Sequence, residues 1–418
     1  MAPATGEALT ALAALWGLPP WPGLPSLTPS DLPQRAGHTI ALGAGHRLRT
    51  SGGLDVTLPA SDPERKALMV RLEAWAHSLL SEAYRGADKA SPGWALGVYY
   101  GVRPLLPRRL QLWLRRWHAR GREARAFLGW PIDGMFVALA EAYLAIQIEL
   151  EPSRMLHVAR RWPPGYHGAV ALTHDVEGSV GQERCRKVMA LESERGFRSS
   201  FNFVAERYSL DLGLMDEMRA AGFEIGSHGI RHDGRKFSSR AVFEARLRLL
   251  KEYRDAWKAV GFRSPATHRR WEWMPDLPFD YDSSYPDTDP FEPIPGGCGS
   301  PWPFHLGSLA ELPITMPQDH TLWEVLQRPA LPIWRRKAQW LRDCSGLINI
   351  IVHPDYLTTE ARWRDYIEFL DDIRAATDLW IALPRDIAQW WRQRAAHRER
   401  VELTMEGPEC RLAFSADS

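Results

Sequence analysis

No stretch of this chain is apolar for anything near the roughly 18 consecutive residues that a membrane-spanning helix needs, which excludes a helical membrane protein. Cysteine is scarce. Cys185, Cys298, Cys344 and Cys410 lie far apart, form no C-x-x-C pair and are too few to staple 418 residues, so the chain suits a reducing compartment. An excess of one charge is also lacking. Fifty-two Lys and Arg face 51 Asp and Glu, a net charge of +1, and no long single-sign block offers a footprint for phosphate backbones. Nucleic acid is thereby excluded as the first partner to consider. Finally, no basic residue precedes the mildly apolar stretch 9–18, so the positive start of a secretory signal is missing and a cytoplasmic location is expected.

What remains is an ordinary globular composition, 45% hydrophobic and 25% charged, long enough for two or three domains or one large α/β domain with additions. Residues 1–150 begin with a Pro- and Gly-rich lead and continue with short strands at 39–42 and 54–58. Helical spacing follows at 64–84, 107–119 and 133–149, so an α+β accessory region is expected. The run 107–125 (PRRLQLWLRRWHARGREAR) is basic and amphipathic. It is expected to be a solvated helix with Leu and Trp turned inward; an anionic membrane surface is the alternative.

From residue 168 short apolar runs alternate with helical stretches, the pattern of parallel strands with crossover helices. Strands are expected at 169–173, 200–204, 223–227, 261–264, 279–283, 311–315, 347–353 and 379–383. Helices are expected at 182–195, 210–220, 238–260, 358–376 and 384–397. The tail 401–414 carries two β-like pieces around Glu406-Gly407-Pro408, a hairpin packed on the barrel or on the N-terminal region. The expected division is 1–150, 151–398 and 399–418.

The polar residues that end these strands fall into one set: Thr173-His174-Asp175-Val176-Glu177, then His228 with His232, Arg263, Asp282 and His353. In a parallel βα barrel the C-terminal strand ends surround a single mouth, where such folds place their chemistry. Histidines four apart lie one above the other on a helical turn and can share one metal ion with a carboxylate, leaving a position open. Asp175 and Glu177, two apart on an extended segment, point the same way, so one can ligate while the other handles protons.

In this order, Leu172-Thr-His-Asp-Val-Glu-Gly178, Ser227-His228-Gly-Ile-Arg-His232, Phe262-Arg-Ser-Pro265, Tyr281-Asp-Ser-Ser284 and Ile350-Ile-Val-His-Pro354 resemble the five motifs of the polysaccharide deacetylase family, the NodB-homology type that includes chitin and peptidoglycan N-deacetylases. The resemblance covers about 168–394. It implies a distorted, incomplete (β/α) barrel and metal-dependent hydrolysis of an N-acetyl group from an acetamido sugar. By position it implies Asp175 as base and Glu177, His228 and His232 as ligands of one divalent ion, zinc foremost, with cobalt, nickel, manganese or iron also admitted. Arg263 would orient Asp175, His353 would protonate the leaving amine, and Asp282 would keep His353 charged. The usual motif has two adjacent Asp residues; here Val176 takes the second place and the ligand moves to Glu177, which leaves Asp175 itself as a possible ligand.

Three further expectations concern the substrate. The amide of Ala266 is a candidate oxyanion donor, and Trp271, Trp273 and Trp302, among 19 tryptophans, are candidate walls for a sugar ring. The partner expected is a carbohydrate or other small N-acetyl compound. Two competitors stand beside this reading: an amidase opening a cyclic amide or imide on the same barrel, and an inactive metal-binding module in surface-polysaccharide assembly.

Overall fold

The computed structural model describes residues 11–19, 32–33, 35–86 and 108–416, so most of the Pro- and Gly-rich lead lies outside the described residues. The chain first lays down four short strands, β1 (Arg35–Ala36), β2 (Thr39–Ala41), β3 (Arg47–Arg49) and β4 (Asp55–Thr57). Helix Asp62–Leu80 then starts at Ser61, whose N–H and hydroxyl both donate to Glu64 and so begin the helix cleanly. Helix Met135–Leu150 (MFVALAEAYLAIQIEL) is apolar almost all round, and it is buried accordingly, packed on the 62–80 helix and against β4. Strand β5 (Met155–Ala159) follows.

From Gly168 the βα grammar takes over. The strands are β6 (Gly168–Val176), β7 (Ser200–Phe203), β8 (Glu224–Ser227), β9 (Gly261–Phe262), β10 (Tyr281–Asp282), β11 (Phe304–Leu306), β12 (Leu309–Glu311), β13 (Leu347–Ile351) and β14 (Leu379–Ile381). Their order is β11-β12-β10-β9-β8-β7-β6-β13, with β14 paired to the start of β6. Every pairing is parallel except that of β11 with β12. Strands β6 and β13 are buried at every residue, as parallel strands covered on both faces must be. The sheet curls into an incomplete barrel. Between its ends there is no ladder; Met316 donates from its N–H to Asn349, and the Asn349 side chain donates to the carbonyls of Leu312 and Pro313. The strand expected at 311–315 accordingly stops at Glu311, because Pro313 has no N–H to give to a ladder.

The chain ends in the hairpin β15 (Arg398–Glu406) and β16 (Glu409–Ala416), which fits between β3 and β5 and completes the sheet β1-β2-β4-β3-β16-β15-β5. Strands from the first 57 residues, from 155–159 and from the tail therefore share one sheet. A single hydrophobic core runs through both sheets, from Leu48, Leu72 and Tyr143 to Leu172, Phe201 and Ile350. A buried ion pair joins Glu82 at the end of the first long helix to Arg269 in the barrel, Nε to Oε2 at 2.6 Å.

Two local expectations are corrected. Helix Leu331–Asp343 is absent from the expected set; Pro332 falls in its first turn, where the missing N–H costs nothing, and Leu331, Trp334, Ala338 and Leu341 are buried at helical spacing. Helix Arg108–Ala119 turns Leu110, Trp113 and Trp117 outward, not inward. Its inner face is held by polar contacts instead: Arg116 Nε donates to the Glu324 carbonyl at 2.9 Å, and Arg115 lies 3.7 Å from Glu292. Among the described residues no helix is long and apolar enough to cross a membrane.

Candidate active site

Strand alternation builds the first half of the site. Along β6, Thr173 and Asp175 face the barrel interior, while His174 between them faces the surrounding helices, bonded to Glu192 at 2.8 Å and to the Val352 carbonyl at 2.7 Å. Glu177, just past the strand, continues on the side of Asp175. Asp175 accepts from Asn202 Nδ2 at 2.8 Å and from Arg263 at 3.4 Å. Arg263 is itself fixed, donating to Thr173 Oγ1 at 2.7 Å and to the carbonyl and hydroxyl of Ser283 at 2.8 and 2.7 Å. Burial pushes the Asp175 carboxyl up, but His228, Arg263, His353 and the hydrogen bond from Asn202 together more than offset this and leave it below the ordinary range.

The histidine pair follows β8. Residues 228–232 form a loop rather than the expected helical turn, with φ of 76° at Gly229 and 50° at His232, and it brings the two imidazole centroids to 5.2 Å. His232 Nε2 lies 2.9 Å from Glu177 Oε1, and His228 Nε2 3.9 Å from the same oxygen. Ligand atoms of Glu177, His228 and His232 all fall within 4.8 Å of one another, the one such group among the described residues. Both Nε2 atoms are buried and make no aligned hydrogen bond. His228 Nδ1 faces the Arg263 carbonyl at 3.2 Å, which fixes its proton there and leaves the Nε2 lone pair free. Burial pushes His228 down to about 4, so the ring is neutral near pH 7. Burial pushes Glu177 up, yet His232, His353 and His228 together hold it well below the usual carboxylate range. An anionic carboxylate with two buried imidazole Nε2 atoms turned toward it is the donor set that a divalent cation takes, so these residues fit a metal ion.

Across the mouth, His353 follows β13. Its Nε2 stands 3.9 Å from Glu177 Oε1 and 4.0 Å from Asp175 Oδ2. Both its N–H and its Nδ1 are bonded to Asp319, at 2.8 and 2.6 Å. Burial works against the charged ring, but Asp319, Glu177 and Asp175 push His353 up to about 10. The same segment reaches back to the metal side, because Asp355, two residues on, accepts from the Glu177 N–H at 3.0 Å. That approach requires Gly181, where a Cβ would stand 2.0 Å from Asp355 Oδ2.

Six sequence candidates therefore meet: Asp175, Glu177, His228, His232, Arg263 and His353. Asp282 does not serve His353. It is fully buried beside Glu311, its partner in the β10–β12 register, and accepts from Ser284 at 2.7 Å. Burial raises both carboxyls. The fourth motif supports the site through Ser283, which anchors Arg263. Trp302 is fully buried, with its indole N–H on the carbonyls of Cys344 and Ser345, and offers no face to a substrate. Trp271 and Trp273 are half-buried; one stacks on Phe304, the other packs among Phe237 and Phe243. Ala266 sits in the turn Pro265–Thr267 with φ of 51°, and the neighbouring Ser264, Pro265 and His268 line a small cavity shared with His232.

Two supporting residues escaped sequence reasoning. Asn202 is the register partner of Asp175 on β7, and it has room only because Gly226 on β8 lacks a Cβ, which would lie 2.0 Å from Asn202 Oδ1. Register was the signal that could have found it. Asp319 opens the short helical segment 319–326 and carries no comparable signal.

No family model matches the chain, and no curated protein does. Solved structures overlap part of it at low identity. A protein described as a polysaccharide deacetylase from Mycobacterium smegmatis is 21% identical over 56% of this chain and 93% of its own, with a TM-score of 0.45. An allantoinase gives 15%, 56%, 93% and 0.44. A protein described as a polysaccharide deacetylase from Pseudomonas aeruginosa gives 17%, 56%, 94% and 0.42.

Proposed function

We propose that this protein is a metal-dependent hydrolase that removes the N-acetyl group from an acetamido sugar or saccharide. One observation carries the reading: an ionised carboxylate, Asp175, and a charged imidazole, His353, flank the same triad of Glu177, His228 and His232 within about 4 Å.

A divalent ion held by that triad, zinc foremost, would supply Lewis acidity toward the acetyl oxygen and acidify water. The protein's own groups do the rest. Asp175 takes the proton of the attacking water, its position set by Asn202 and Arg263. His353, charged because of Asp319, gives its Nε2 proton to the amide nitrogen as the C–N bond breaks, releasing acetate and a free amine. An unprotonated amine is a poor leaving group, so the proton donor is needed as much as the base. The main-chain N–H of Ala266 remains a proposed donor to the oxygen on which charge develops.

The test joins metal content to turnover. Wild-type protein purified without a histidine tag should hold about one divalent ion per chain and release acetate from at least one member of a panel of N-acetylated sugars, sugar nucleotides and oligosaccharides. His228→Ala/His232→Ala should do neither. Acetate release from no panel member by fully loaded protein would overturn the reading.

A further inference from the structure

The outward stripe of helix Arg108–Ala119 is not absorbed by any role above. Leu110, Trp113 and Trp117 recur at i, i+3 and i+7 and so fall within about 60° of one another around the axis. They are 41%, 58% and 61% exposed, and the two indoles are the most exposed large apolar side chains among the described residues. Just beyond the helix, Phe127 is exposed as well. An apolar surface of this kind marks an interaction site.

Charge narrows the partner. Residues 108–125 carry seven arginines against one glutamate, in a chain whose net charge is only +1. Glu123, that single acid, is paired with Arg328 at 3.3 Å. Arg120 and Arg125 are exposed at the end of the stripe. The opposite side of the helix is committed to the protein, with Arg116 donating to the Glu324 carbonyl and Ala119 buried, and just beyond its end Arg122 donates to the carbonyls of Pro290 and Glu292. The helix thus lies flat on the molecule with aromatic and aliphatic groups outward and cations alongside.

We infer that this helix seats the protein on an anionic lipid bilayer. Indoles favour the zone between headgroups and acyl chains, where the ring is in an apolar medium and its N–H stays wet. Guanidinium groups pair with lipid phosphates, and a helix of this pattern lies in the interfacial plane. A second copy of the chain is a poorer occupant, since a twofold contact on this stripe would bring two arginine-rich segments together. The anchor sits beside the mouth. Arg115 lies 3.4 Å from His320, whose ring is 5.0 Å from Tyr356, and that ring is 5.1 Å from His353. The inference rests on the surface alone and stands apart from the proposed hydrolysis.

Flotation of the full chain with vesicles tests it. The protein should bind vesicles containing about 30% phosphatidylglycerol at about 0.1 M salt and leave phosphatidylcholine vesicles unbound. Trp113→Ala/Trp117→Ala should reduce the bound fraction about tenfold, and Arg120→Glu/Arg125→Glu should weaken it with a shallower salt dependence. These side chains are exposed, so unchanged circular dichroism and melting temperature in both variants establish that the fold is intact. Absence of binding to either vesicle, equal binding to both, or undiminished binding by the tryptophan variant would overturn the inference. So would a dimer in sedimentation equilibrium that the tryptophan variant disperses without any vesicle binding.

Discussion

His228 and His353 approach the same Glu177 oxygen at the same 3.9 Å, and they are opposite in chemistry. His228 Nδ1 is bonded to a neutral carbonyl, that of Arg263, with the Asp175 carboxylate no nearer than 3.7 Å; burial then prevails and the ring is pushed down to about 4. His353 has the Asp319 carboxylate at Nδ1 and is pushed up to about 10. Equal burial and equal distance do not separate a ligand from an acid. The group on the far nitrogen does, by deciding whether the near nitrogen carries a lone pair or a proton.

The largest effect that would sharpen this contrast lies between the two rings. Asp175→Asn should lower acetate release by about 10³–10⁴-fold while elemental analysis still finds the ion, because the base is lost and the triad is untouched. Loss of the ion in that variant would make Asp175 part of the seat.

A smaller effect separates the two candidate partners of His353. Asp319→Asn should cut kcat about 10²-fold and move the alkaline limb of its pH profile downward, since only Glu177 and Asp175 then oppose the lowering of the His353 pKa by burial. Asp282→Asn should leave that limb where it is. A shift of the limb in Asp282→Asn alone would restore the pairing that the motif order implied.

The smallest effect is on stability, measured as Tm against pH on metal-free protein. His228 binds its proton less readily folded than unfolded, so its contribution is lost as pH falls from about 6.5 toward 4. His353 binds its proton more readily folded, so its contribution is full below about 6.5 and lost as pH rises through about 10. His228→Asn should flatten the acid side of the profile and His353→Asn the alkaline side, each by roughly 2–4 °C. Flattening of the same side by both would break the contrast.

The residues that carry these arguments were unequally legible in the sequence. Asp175, Glu177, Arg263 and His353 end apolar runs, and a parallel βα pattern sends strand ends to one mouth, so their convergence can be read from spacing. His228 and His232 were legible as a pair, but not as a loop, because positive φ at His232 leaves no mark in residue type. Asn202 depends on register and Asp319 on where the helical segment 319–326 is laid against His353, neither of which spacing encodes. Asp282 looked right because it ends a strand, yet it faces Glu311. The stripe of helix Arg108–Ala119 shows the same limit: its periodicity was plain, but which side meets the protein was decided by arginine contacts made some 170–210 positions away.

Asp355 ties the two halves of the mouth into one mechanical unit. Two residues from His353, it holds the main-chain N–H of Glu177, and Gly181 leaves it no slack. A shift of His353 is therefore passed to Glu177 through Asp355, and a shift of Glu177 is passed back to His353. An ion at the triad and a ligand at His353 would then be linked in free energy, each changing the affinity of the other by the same factor and in the same direction, although the two need never touch.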